Sequence, residues 1–171
     1  MKASPVQLLQ LFFKQVNIEQ DVSHTSQEIP NPITDIFTFD NVTIATRVGK
    51  AEIDPPHERG AMFLISLGVT INNEHDEKLS GQKFSPYKID VVAEAMILIP
   101  NGVEKLGSPE DLAVVNGASL IWSAIREQVL SITSRMPSGP VMLPTVHFHD
   151  LKQSASPAAA PEKKTRKHPK D

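Results

Sequence analysis

Residues 61–72, AMFLISLGVTIN, alternate strictly: Phe63, Ile65, Leu67, Val69 and Ile71 point one way, with Ser66, Gly68, Thr70 and Asn72 opposite. Side chains on an extended chain alternate between two faces, so this pattern predicts a half-buried strand. Residues 87–99 repeat it, with Ile89, Val91, Ala93, Ala95, Ile97 and Ile99 inward and Lys88, Asp90 and Glu94 outward. Asn72, Asn73 and the polar run to Pro86 supply a connection, and the two strands are expected to form an antiparallel hairpin with a long loop. Upstream, residues 42–53 are rich in β-branched side chains, and residues 11–22 follow more loosely through Phe13, Val16 and Ile18. Between these two stretches lies a connection holding Pro30, Pro32, Ile33, Ile36, Phe37 and Phe39. A loop that apolar must be covered or used.

After the fourth strand the period changes. Ser108, Pro109, Glu110 and Asp111 place a serine cap before a proline at the first helical position, with acids at the positive helix end. Val114, Ala118, Ile121, Ile125, Val129, Ile132 and Met136 then recur at three- and four-residue steps, predicting a helix from here to about Arg135. Leu112, Val115, Trp122 and Leu130 lie off that face, so the helix is apolar on more than one side. One side is expected to meet the sheet and the other a second partner. Gly117 is expected to weaken or bend the helix. Pro137, Gly139 and Pro140 stop it, and Val141, Met142, Leu143, Pro144, Val146 and Phe148 form an extended apolar ending. The fold expected is α+β: a four-stranded antiparallel sheet with a long helix packed on one face.

Composition changes this picture little. The 171 residues suit one domain, and 40% apolar with 22% charged residues is ordinary for a globular protein. There are no cysteines, which excludes disulfides, thiolate metal sites and a cysteine nucleophile, and fits a reducing compartment. The N-terminal apolar run through Val6, Leu8, Leu9, Leu11, Phe12 and Phe13 is broken by Gln7 and Gln10 and lacks a small-residue cleavage site, so it reads as folded structure. A cytoplasmic address is the expectation. Charge is uneven. The net charge of −3 divides into a basic segment, 152–171, with six Lys or Arg against Glu162 and Asp171, and an acidic body. Pro157, Pro161 and Pro169 interrupt that segment, so residues 1–151 are expected to be the domain and 152–171 a disordered basic tail rich in Pro, Ala and Lys.

Catalytic chemistry finds little footing. There is no phosphate-cradling GxxxxGK[ST] or GxGxxG, and no GxSxG nucleophile elbow. His147 and His149 would share one side of a strand, but a pair supplies only two ligands, and surface histidines are the expectation. Helix capping accounts for Glu110 and Asp111. No enzyme activity, cofactor or metal is expected, and the tail lacks the aromatic interleaving of a nucleic-acid site. What remains is apolar surface. Ile33, Ile36, Phe37 and Phe39 in the connection, with Met136 and Met142 at the helix exit, are the candidates for binding variable apolar partners.

The most distinctive residues are Ala124, Ile125, Arg126, Glu127, Ser134 and Arg135, followed by Gly139, Pro140, Leu143, Pro144, Val146 and Phe148. Together with LLQLFFKQVNIE at 8–19 and the order of four strands then one long helix, they resemble the SecB protein-export chaperone family over residues 6 to about 151. The middle of the likeness rests on strand order more than identity. The resemblance implies an ATP-independent holdase that keeps unfolded preproteins translocation-competent in long grooves and delivers them to the motor ATPase SecA. It implies a homotetramer, a dimer of dimers, with Val115, Trp122, Arg126 and Val129 at the helix contacts. It also places SecA docking at Glu19 and Asp90, although Gln15 stands where the family has a further acid. The family's C-terminal lid helix is shortened or missing here. An adaptor or scaffold dedicated to one partner is the runner-up. A hotdog-type thioesterase is a minor alternative, since its helix comes early whereas this one follows all four strands.

Overall fold

The alternation at 61–72 and 87–99 is realised as two long paired strands that carry the core. The computed structural model describes Ser4 and residues 6–24, 37–77 and 79–152. Within them lie β1 (Gln7–Gln20), β2 (Ala45–His57), β3 (Gly60–Ile71), β4 (Tyr87–Pro100) and α1 (Pro109–Thr133), with single 3-10 turns at Glu104–Leu106 and His149–Leu151. The strands form one antiparallel sheet in the order β1-β4-β3-β2. The fold is α+β, with the helix on one face. Ile33 and Ile36 lie outside the described residues, as does the segment from 153 onward.

Each inward position read from the sequence is buried: Phe63, Ile65, Leu67, Val69 and Ile71 on β3, and Ile89 through Ile99 at alternate positions on β4. Register joins them in rows, such as Ile65 opposite Ala95 and Val69 opposite Val91. The small Ala93 and Ala95 leave room above the sheet, and α1 lies mainly over β3 and β4, burying Val114, Ala118, Ile121, Ile125 and Val129. Gly117 makes this seating close. A Cβ there would stand 2.9 Å from Ile65 Cγ1 and 3.3 Å from Ile97 Cγ1, so the glycine is the point where helix backbone meets sheet. The expectation that it weakens or bends the helix gives way to a packing role. At the helix start, Ser108 accepts a hydrogen bond from the Asp111 amide at 3.1 Å, and Glu110 pairs with Lys50 of β2.

β1 begins four residues before the stretch read as a strand, and its looser pattern has a local cause. Register shifts between Leu8 and Gln10 and between Phe13 and Gln15 insert an extra residue twice. The bulges keep Leu8, Leu11, Phe13, Val16 and Ile18 on the helix side although their spacing is not a strict two. The opposite face of β1 and β4 is polar at one end, with Gln15, Asn17, Glu19, Lys88 and Asp90.

At that end a buried polar knot ties β1 to the β3–β4 connection. Asp21 is 5% exposed and accepts from Asn73 Nδ2 at 2.8 Å and from the Ser23 amide at 3.1 Å, with His24 Nδ1 at 3.0 Å. Asn73, held at φ 58°, also exchanges two hydrogen bonds with the Ser85 backbone. The Asn73 amide is the main reason the Asp21 pKa falls to about 2; burial opposes it, while His24, the Ser23 amide and the Lys88 charge assist. A depressed carboxylate pKa stabilises the fold above the unfolded value, near 3.8, and that contribution is lost as pH falls through about 2. Asp21→Asn is therefore expected to cost about 2 kcal/mol at pH 6. The gap to the unsubstituted protein should close as urea melts are repeated from pH 4 down to pH 2.

Candidate functional site

The end of α1 and the chain beyond it build the most elaborated surface. Thr133, on the last helical turn, is fully buried; its Oγ1 donates to the Val129 carbonyl at 2.8 Å and accepts from the Val141 amide at 3.0 Å. Two turns and three turns earlier on the same side, Arg126 Nε donates to the Leu143 carbonyl at 2.7 Å and Trp122 Nε1 to the Pro144 carbonyl at 2.9 Å. Three side chains spaced along the helix thus grip the backbone of an extended segment. Gly139, at φ 76°, permits the reversal into it, and the Tyr87 hydroxyl donates to the Gly139 carbonyl at 2.8 Å.

The segment's side chains alternate as in a strand. Val141 and Leu143 are buried, and Met142 between them is 49% exposed. Farther on, Phe148 is buried and meets the Trp122 ring edge to face at 6.1 Å. Phe37 adds a parallel bridge to Val141 from the other flank and stacks edge-on with Phe39 at 5.0 Å. At Trp122 and Arg126 the second side of α1 meets the chain's own residues 141–148. Trp122, Val115 and Val129 are all buried within the single chain.

The sequence-selected groove residues separate accordingly. Phe39 is core, Phe37 and Met136 are half-buried against it, and Met142 stands out beside a cleft of about 220 Å³ lined by Ser123, Arg126, Glu127 and Leu130. Glu19 and Asp90 do share the sheet face away from the helix, as diagonal neighbours across β1 and β4. Their carboxylates are engaged: Asp90 accepts from Gln15 Nε2 and from Thr70 Oγ1, and Glu19 from Asn17 Nδ2. Sequence reasoning missed Thr133 and the donor roles of Trp122 and Arg126. Only the alternation of Val141 and Leu143 about Met142 hinted at them.

A second surface runs along β1. Leu8, Leu9 and Val16 are each about two-fifths exposed, and so is Leu120 on α1. Val6, Leu8, Asn116 and Leu120 line a cleft of about 340 Å³ between strand and helix. Among the described residues β1 is an edge strand, with no described strand paired to its outer backbone.

His147 and His149 are exposed with their rings 6.3 Å apart, on one side of the chain as the sequence predicts. Among the described residues no group of three or more His, Cys, Asp or Glu could hold a metal ion. No helix there is long and apolar enough to cross a membrane.

No protein-family profile matches the chain, and no curated protein matches it. Among solved structures it is similar to a protein of unknown function from Streptococcus agalactiae, with a TM-score of 0.51, 14% identity and coverage of 82% of this chain and 97% of that one. It is also similar to Rv1957 of Mycobacterium tuberculosis, a SecB-like chaperone in complex with a ChAD peptide from the Rv1956 HigA1 antitoxin. That comparison gives a TM-score of 0.45, 15% identity, and coverage of 82% and 90% of the two chains. At such identities, what the first of these shares with this chain is its fold: a four-stranded antiparallel sheet carrying a long helix.

Proposed function

We propose that this protein is an ATP-independent holdase that binds unfolded or extended preproteins in the cytoplasm and keeps them translocation-competent. The observation that carries the reading is how α1 holds residues 141–148: through backbone groups and alternating buried apolar side chains. A surface that reads backbone and alternate apolar residues suits extended polypeptide of varied sequence. The resemblance of 124–148 and 8–19 to the SecB family supports the same role. Self-association through the open edge of β1 and the Leu8–Leu120 cleft extends it to a homotetramer, a dimer of dimers. Delivery to SecA through Glu19 and Asp90 belongs to the same proposal.

One observation favours the second reading, an adaptor dedicated to a single partner. Gln15 replaces a family acid and its amide occupies Asp90, which weakens the charge that SecA docking calls for. The readings separate in one assay. A holdase at equimolar ratio suppresses light scattering from several unrelated unfolded proteins without ATP, whereas an adaptor protects one. Suppression of none sinks both. In size-exclusion chromatography the assembly is expected near about 75 kDa, four times 18.8 kDa. A concentration-independent monomer removes the assembly.

A further inference from the structure

The segment 141–148 is bound to its own protein in the manner in which a client would be bound. Its carbonyls at Leu143 and Pro144 accept from Arg126 and Trp122, and its Val141 amide donates to Thr133. None of these three contacts reads a side chain of the segment. Between the three hydrogen bonds its side-chain contributions are two apolar groups two residues apart, Val141 and Leu143, both fully enclosed, with Met142 turned out, and Phe148 farther on adds a ring against Trp122. Any extended polypeptide with apolar residues at positions i and i+2 carries the same features. From this match we infer that the α1 surface made by Trp122, Arg126 and Thr133 is itself a polypeptide-binding site, occupied in cis by residues 141–148, and that a client segment enters by displacing them.

The inference rests on the holdase reading and adds to it a site, a ligand chemistry and a control. Binding is an exchange. The client supplies apolar groups and carbonyls in place of those that leave, so little new surface is buried, and the tethered segment competes at an effective concentration on the order of millimolar. Affinity is thereby reduced by the fraction of molecules whose site is open. A holder that must also release gains from this, because the displaced segment returns and expels the client. The alternative is that 141–148 is a fixed part of the core, with clients bound elsewhere.

Leu143→Ala distinguishes the two by sign. The probe is a fluorescein-labelled, tryptophan-free peptide of about fifteen residues with alternating Leu and Thr, and binding is read by anisotropy. A weakened occupant leaves the site open more often, so the variant is expected to bind the peptide about tenfold more tightly than the unsubstituted protein. Unchanged or weaker binding by a variant that retains a cooperative melt overturns the inference. If the variant does not fold, hydrogen exchange on the unsubstituted full-length protein decides. With saturating peptide, exchange at the amides of 141–148 should rise at least about tenfold. Binding with no rise overturns the inference and leaves the holdase reading standing, while no binding of peptide to either protein sinks both.

Discussion

Replacing Trp122 with alanine is expected to lower stability by about 4 kcal/mol, the range found when a large buried aromatic is removed from a packed site. The indole is 3% exposed, fills the space between α1 and Phe148, and donates the hydrogen bond that anchors Pro144. Its loss leaves a cavity and an unpaired carbonyl together. The damage is directional, because the sheet side of α1 is untouched while the grip on 141–148 loses one of its three hydrogen bonds. Urea melts followed by far-UV circular dichroism measure the cost, and limited proteolysis should cut first beyond residue 140. Trp122→Phe, which keeps the ring but not the donor, should cost only about 1–2 kcal/mol. Equal losses in both variants would show that the hydrogen bond, and not the filling, dominates.

Gly117→Val is expected to cost about 3 kcal/mol for the opposite reason, too much volume. The position is enclosed by Ile65 and Ile97, and a Cβ already stands inside normal contact distance of both. A β-branched side chain must push α1 off the sheet along its whole length. Gly117→Ala is the informative companion: the helix gains about 1 kcal/mol of propensity. The single methyl must displace Ile65 Cγ1 from 2.9 Å, so the net change should be small or unfavourable. A clear stabilisation of Gly117→Ala would mean that the helix seats more loosely than described. Shifts in the urea midpoint, monitored by the buried Trp122, measure both.

The sheet and the helix start were readable because their signals are local. Alternation at Phe63 to Ile71 and Ile89 to Ile99 needs no knowledge of partners, and Ser108 with Pro109 announces a helix by chemistry confined to one turn. The looser β1 was harder, since two bulges break the period while preserving the face. The candidate site was mostly hidden because its contacts are long-range in sequence. Nothing in the position of Trp122 along the helix announces that its ring meets residues about twenty positions later. Arg126 carried a similar ambiguity: its charge suggested a solvated or interface residue, yet its Nε is spent on a carbonyl. Glu19 and Asp90, singled out through the resemblance, lie on one face of the sheet. Their engagement by Asn17, Gln15 and Thr70 depends on rotamers that parity does not fix.

The strand order also bears on how the molecule is made. Among the described strands β1 precedes the others and pairs with β4, so its backbone waits for a partner roughly 70–90 residues downstream, and such distant pairing is slow to form. β3, β4 and α1 are consecutive and share the core, and they are placed to organise before β1 can join. Throughout that interval Leu8, Leu9, Leu11, Phe12 and Phe13 trail as an unpaired, aggregation-prone segment on the nascent chain. That early segment is the part of the chain most exposed to misassociation before β4 arrives to pair with it.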